Sequence, residues 1–130
     1  GEKEILFGSL DGCLYALTPS GKEIWHFRTG GPIYGSVAAA DINADGKLEI
    51  VVGSYDHHVW VVNADGEEIW NYQTGAPIFS SPAIADVDGD SQPEIIIGSY
   101  DRRLYALKTG GGCGRNQILW SAFRGHASTL

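Results

Sequence analysis

The tetrad Gly8-Ser9-Leu10-Asp11 returns as Gly53-Ser54-Tyr55-Asp56 and again as Gly98-Ser99-Tyr100-Asp101, each time after 45 residues. A constant period of this length means that one supersecondary unit is built repeatedly and that neighbouring units bury each other's apolar faces. Behind each tetrad runs an aromatic and aliphatic stretch that reads as a strand: Leu14-Tyr15-Ala16-Leu17, Val59-Trp60-Val61-Val62 and Leu104-Tyr105-Ala106-Leu107. A further strand follows around Ile24-Trp25, Ile69-Trp70 and Leu119-Trp120. The last spacing is 50 residues because Gly110-Gly111-Gly112-Cys113-Gly114 lengthens the connecting loop.

The middle unit is the most complete and predicts four strands, at Ile33 to Asp41, Leu48 to Ser54, His58 to Asn63 and Glu67 to Thr74. Turn residues separate them: Ala44-Asp45-Gly46, Tyr55-Asp56-His57 and Ala64-Asp65-Gly66. Four antiparallel strands every 40 to 50 residues describe the blade of a β-propeller, an all-β fold, and three such repeats form a partial propeller. The apolar runs need not alternate strictly, because a blade is covered on both faces. We divide the chain into blade 1 (1–30), blade 2 (31–75), blade 3 (76–125) and a tail (126–130). Blade 3 should begin with a strand from Ile78 to Ala85, and blade 1 should lack its innermost strand, because nothing suitable precedes Glu4-Ile5-Leu6-Phe7.

Glycine supplies 18 of the 130 residues, beside 4 Trp and 6 Tyr, a mixture that suits short strands joined by tight turns and disfavours helical bundles. The formal net charge of −7 leaves no basic surface for phosphates or anionic lipid, so nucleic acid is not an expected partner. No apolar run is long enough to span a bilayer, and membrane insertion is not expected. The chain starts with Gly and holds no Met, which predicts a trimmed product or a section of something longer.

Seven of the 16 acidic residues fall in two nine-residue windows. In the first, Asp41, Asn43 and Asp45 put a hard oxygen on every second side chain. Gly46 permits the positive φ that closes a turn, Lys47 offers its carbonyl, and Glu49 arrives from the start of the next strand. The second window offers Asp86, Asp88, Asp90, the carbonyl of Gln92, and Glu94, with Ser91 where the first has Gly46. Carboxylates gathered this way repel one another without a cation, and the donor set is an oxygen cage suited to calcium (Ca2+). The spacing is not that of an EF-hand, whose Glu stands at position 12 of a loop between helices; here it stands at position 9 between strands.

Two repeat families are similar to this pattern. Ala16-Leu17-Thr18-Pro19-Ser20-Gly21-Lys22-Glu23-Ile24-Trp25, preceded by Gly8-Ser9-Leu10-Asp11-Gly12, resembles the pyrroloquinoline-quinone-like propeller repeat. That resemblance implies that Trp25, Trp70 and Trp120 dock one blade on the next. Residues 41–49 and 86–94 resemble the calcium loop of FG-GAP repeats in integrin-type propellers. Mixed repeats of this kind imply a secreted, cell-surface or periplasmic protein.

The tryptophans read as blade packing rather than sugar stacking. His57-His58 aligns with Gly12-Cys13 and Arg102-Arg103, as expected of an exposed hairpin turn. Cys13 and Cys113 do not have the spacing of a zinc knuckle, and whether they pair is open. No Ser/His/Asp order and no phosphate-binding loop is visible. We therefore expect no catalytic residue: the chain reads as a calcium-binding, non-enzymatic propeller module for a protein or carbohydrate ligand. The alternative, a piece of a quinoprotein-dehydrogenase-type enzyme, lacks the adjacent Cys-Cys pair of that family's quinone site. Three blades cannot close a ring, so the expected partner is a second copy or further blades of a longer parent chain. A homodimer would close a ring of about six blades, with Phe123 to Leu130 completing the neighbour's first blade.

Overall fold

Short apolar stretches separated by turn residues favour antiparallel hairpins, and hairpins in chain order are what form. A computed structural model describes residues 4–87, 89, 91–109, 116–123 and 126–129 of the chain. Its strands make three antiparallel sheets and, among the described residues, no helix. Blade 1 contains β1 (Ile5–Gly8), β2 (Cys13–Leu17) and β3 (Glu23–Arg28). Blade 2 contains β4 (Ala38–Ala40), β5 (Glu49–Gly53), β6 (His58–Val62) and β7 (Glu68–Gln73). Blade 3 contains β8 (Ala83–Ala85), β9 (Glu94–Ser99), β10 (Arg103–Thr109), β11 (Asn116–Phe123) and β12 (His126–Thr129).

Two features of the strands depart from the sequence expectation. The innermost strands are three residues long, at 38–40 and 83–85, instead of starting at Ile33 and Ile78. The residues ahead of them are spent on crossing between blades: the Ile33 amide donates to the Ser9 carbonyl at 3.0 Å and the Ser36 amide to Ser81 Oγ at 2.8 Å. Pro82 has no N–H to give a ladder. Residues 126–129, read as a tail, form β12. They pair with β11 of the same chain (Phe123 with His126, Trp120 with Thr129).

Every blade bulges at the same place. The register shifts between Ala16 and Leu17, between Val61 and Val62, and between Ala106 and Leu107. The extra residue is Ile24 or Ile69 in the first two blades, 45% and 43% exposed, and the tryptophan follows it. A bulge twists its strand and re-aims the next side chain. Trp25 consequently reaches the following blade, where its Nε1 donates to the Ala64 carbonyl at 2.9 Å. Gly66, at φ 84°, has no room for a Cβ there, since one would lie 2.5 Å from Trp25 Cδ2. Trp70 is buried in the next layer; Trp120 lies in β11, and its side chain is outside the described residues.

The core lies between blades rather than within one. Leu14, Ile33, Ile50, Val52 and Val62 form the layer between blades 1 and 2. Val51, Val59, Val61, Trp70, Ile95, Ile97 and Leu107 belong to the layer between blades 2 and 3. β5 is buried at all five positions because its two faces meet two different neighbours. Among the described residues, blade 1 packs against blade 2 alone. Ile5 and Phe7 are 47% and 39% exposed, whereas their repeat counterparts Ile50, Val52, Ile95 and Ile97 are exposed by at most 3%.

The repeated tetrad is the clamp that joins one blade to the next. Thr29 and Gly30 leave β3 and meet Ser54 and Asp56: Thr29 Oγ1 lies 2.9 Å from Ser54 Oγ, and the Gly30 amide donates to Asp56 Oδ2 at 2.8 Å. The Tyr55 amide donates to the Pro32 carbonyl at 2.9 Å. Blade 3 repeats the set with Thr74 and Ser99 (3.0 Å), Gly75 and Asp101 (3.0 Å), and Tyr100 and Pro77 (2.9 Å). The same aspartates hold their own turns, with Asp11, Asp56 and Asp101 each accepting the amide two residues ahead at 2.9 Å. Their other oxygens take Tyr15 Oη, Trp60 Nε1 and Tyr105 Oη. The Tyr15 bond lowers the Asp11 carboxyl and pushes the Tyr15 phenol up to about 12. The turn residue is left-handed in all three blades, Gly12 at 91°, His57 at 79° and Arg102 at 71°. His57 and His58 are half-buried rather than exposed, with the His58 ring tilted against Trp60 at 5.2 Å.

The tetrad's glycine is fixed by close approach. A Cβ on Gly53 would sit 2.3 Å from Ile78 Cγ2 and 2.8 Å from Ile97 Cδ1, and one on Gly8 would sit 2.3 Å from Ile33 Cγ2. Gly53→Ala should therefore cost about 3 kcal/mol in denaturant unfolding, through overpacking of an interblade layer. Gly21→Ala, at φ 93° in open space, should cost about 1 kcal/mol from backbone strain alone. Equal costs would contradict this packing.

Candidate metal centre

The first acidic loop connects β4 to β5. Ala44 at φ 61° and Gly46 at φ 83° turn it back on itself. Its side chains first satisfy its own amides. Asp41 accepts from the Asp45 amide (3.1 Å) and the Gly46 amide (2.8 Å), Asn43 Oδ1 from the Asp45 amide (3.2 Å), and Asp45 from the Lys47 amide (2.8 Å). Glu49, only 3% exposed, enters from β5 and accepts the amides of Ile42 at 2.7 Å and Asn43 at 3.3 Å. The result brings one oxygen each from Asp41, Asp45 and Glu49 within 4.8 Å of one another. Oxygens that close, on three carboxylates, suit a hard divalent cation. Asp41, Asp45 and Glu49 are thereby brought together, and Asn43 Oδ1 is on the same turn. The Lys47 amide donates to Asp45, and its side chain is exposed.

The second loop, between β8 and β9, has the same frame. The Ser91 amide donates to Asp86 Oδ2 at 2.9 Å, as Gly46 does to Asp41, and the Val87 amide donates to Glu94 Oε1 at 2.9 Å, as Ile42 does to Glu49. Ser91 takes the left-handed conformation of Gly46 (φ 68°), and Gly89 (φ 77°) that of Ala44. The two loops therefore exchange which of the two turning positions carries the glycine. Glu94 is fully buried and Gln92 exposed. Asp88 and Asp90 lie outside the described residues, as does Cys113; Cys13 is buried in β2.

Burial is the main cause that raises the Glu49 carboxyl above its ordinary range, reinforced by the charges of Asp45 and Asp41 and opposed by the two amides it accepts. A raised carboxyl favours the folded state while protonated and withdraws that stability as pH rises through the folded value. In chelator, stability should therefore fall with rising pH above about 4.5, and Glu49→Gln should flatten that fall. An unchanged slope in thermal melts across pH would contradict it.

Sequence reasoning passed over one other constellation. Tyr34 and Phe79 stack at 4.4 Å with 21° between planes, and Phe79 stacks on Tyr100 at 4.3 Å and 30°. Tyr55 meets Tyr34 and Phe79 edge-on at 5.7 Å and 5.0 Å. The signal was present, since 34 and 79, like 55 and 100, are 45 residues apart.

Interblade clamps, an all-β meander and short inner strands define this chain as a β-propeller domain. It belongs to the family of the lambda-carrageenase beta-propeller domain, whose family model matches residues 33–119, more than half of the chain. Among solved structures, BamB from Moraxella catarrhalis has a similar fold, with a TM-score of 0.68 at 15% identity. The match covers 93% of this chain and 33% of that one, so the chain spans about a third of BamB's length. The comparison with curated proteins finds none similar in sequence.

Proposed function

We propose that this propeller domain is a calcium-stabilised, non-enzymatic binding scaffold, secreted or displayed at the cell surface or in the periplasm. The observation that carries the reading is the approach of Asp41, Asp45 and Glu49 oxygens to within 4.8 Å in a loop whose frame is built twice. The FG-GAP-like spacing supports calcium as the cation, with Asn43, the Lys47 carbonyl and the second set Asp86, Asp88, Asp90, Gln92 carbonyl and Glu94 as further ligands. Two ions would bring the formal charge from −7 to −3 and tie each inner strand to the next. The non-enzymatic role is supported by where the carboxylates go: those of the clamps and of the described loop residues are committed to backbone amides. The family takes its name from lambda-carrageenase, and a polysaccharide is the ligand class that name suggests, with a protein as the other.

The free face of blade 1 supports a partner that is itself a blade. Ser9 and Asp11 repeat the clamp residues that blades 2 and 3 use to receive Thr-Gly, beside exposed Ile5 and Phe7. A second copy closing a ring of about six blades, or further blades of a longer chain, would cover this face.

Native mass spectrometry in millimolar calcium reads metal count and assembly together. The expected species is two 14.0 kDa chains with about four Ca2+, falling to about two in Asp45→Ala. Calcium-loaded monomers would assign the blade 1 face to a longer chain, and chains without calcium would contradict the reading.

A further inference from the structure

We propose that the outer edge of β3 in blade 1 binds an extended, acidic segment of a partner protein by strand addition, antiparallel to residues 25–28. This edge is a surface that the reading above does not use. No described strand lies beyond β3, which ends the sheet β1-β2-β3. The ladder tells which backbone groups face out. The Thr29 amide donates to the Gly12 carbonyl at 2.8 Å, and backbone groups alternate in direction along a strand. Those of Phe27 and Trp25 therefore also face β2, and those of His26 and Arg28 face the open side. A row of such groups is a template for another chain, which many proteins blunt with a bulge, a proline or a lysine. Here the bulge falls at Ile24, and residues 25–28 after it hold neither proline nor lysine.

Blade 3 carries an example of what this edge accepts. Its fifth strand, β12, lies on β11 at the positions that correspond to 25–28: Phe123, the counterpart of Arg28, is opposite His126, and Ser121, the counterpart of His26, is opposite Ser128. In blade 1 the chain leaves β3 through Thr29 and Gly30 for blade 2 instead, so the occupant comes from another molecule. The register sets its chemistry. In the order of His126 to Thr129, the first residue stands opposite Arg28, which no ion pair takes among the described residues, and an acid there makes a favourable cross-strand pair. Glu23 offers a cation less, because its carboxylate is already 3.0 Å from His26 Nδ1. The next two residues, opposite Phe27 and His26, are small, as Ala127 and Ser128 are in β12. The fourth stands opposite Trp25 and is β-branched, as Thr129 is opposite Trp120.

Fluorescence anisotropy with a labelled peptide centred on Glu-Ala-Ser-Thr tests this, beside the same peptide with Lys for Glu. The unaltered chain should bind the acidic peptide at least about fivefold more tightly than the basic one, and Arg28→Glu should reverse the order. N-methyl groups on the Glu and Ser amides, which would meet Arg28 and His26, should weaken binding at least about tenfold. N-methyl groups on the Ala and Thr amides, which would face away from β3, should leave it within about threefold. Circular dichroism checks that Arg28→Glu folds; if it does not, the two methylation patterns decide on the unaltered chain. No binding of the acidic peptide, equal weakening by both methylation patterns, or an unchanged preference in folded Arg28→Glu would overturn the proposal. Peptide binding that is lost as the chain self-associates would overturn it too, by giving the edge to a second copy.

Discussion

The clamp between a departing Thr-Gly and the Ser and Asp of the next tetrad is the constraint on which the rest of the structure depends. Thr29 is 5% exposed and Ser54 fully buried, so their hydroxyls have no water to fall back on. Thr29 Oγ1 reaches the Gly12 carbonyl at 2.7 Å and Ser54 Oγ the Gly31 carbonyl at 3.0 Å, which ties the end of one blade to the second strand of the next. An aspartate is needed beside them because one group must serve the turn amide, the aromatic donor and the incoming glycine amide at once. Nearly every other rule of this sequence follows from that junction. The tetrad's glycine is bare because the next Ile is driven onto it, and the inner strand starts late because its first residues are occupied by the crossing.

Stability in such a chain is a sum over neighbouring blades rather than the property of one central core. β5 shows the consequence most directly: Ile50 and Val52 pack towards blade 1 and Val51 towards blade 3. A blade without a neighbour leaves apolar surface in water, as Ile5 and Phe7 do. The acidic loops sit at the opposite strand ends from the clamps.

Much of this was legible because the repeat makes position, rather than residue type, the informative variable. The 45-residue period located the second, third and fourth strands within a residue or two, and the bulge was implicit in the paired Ile24-Trp25 and Ile69-Trp70. The inner strands were overextended because Ile33 and Ile78 are apolar and β-branched, and that preference was outweighed by the crossing, where Pro32, Pro77 and Pro82 limit ladder bonding. Ser91 stands where the first loop has Gly46, and it takes the same left-handed conformation with its amide on Asp86. Thr29 and Thr74 repeat at the same period and went unremarked, because a lone threonine has no sequence signature for a buried hydroxyl bridge. The aromatic cluster escaped for a similar reason: its members come from two connections in each blade, and the pair of one blade meets the pair of the next only when blades dock.

The central claim is that the clamp couples consecutive blades energetically, and a double-mutant cycle on Thr29→Val and Ser54→Ala measures it. Chemical denaturation of the unaltered chain, both single variants and the double variant should give a coupling of about 1 to 2 kcal/mol, with the double loss smaller than the sum of the single losses. Additive losses would contradict the account and leave the interblade layers to hold the blades together by apolar contact alone.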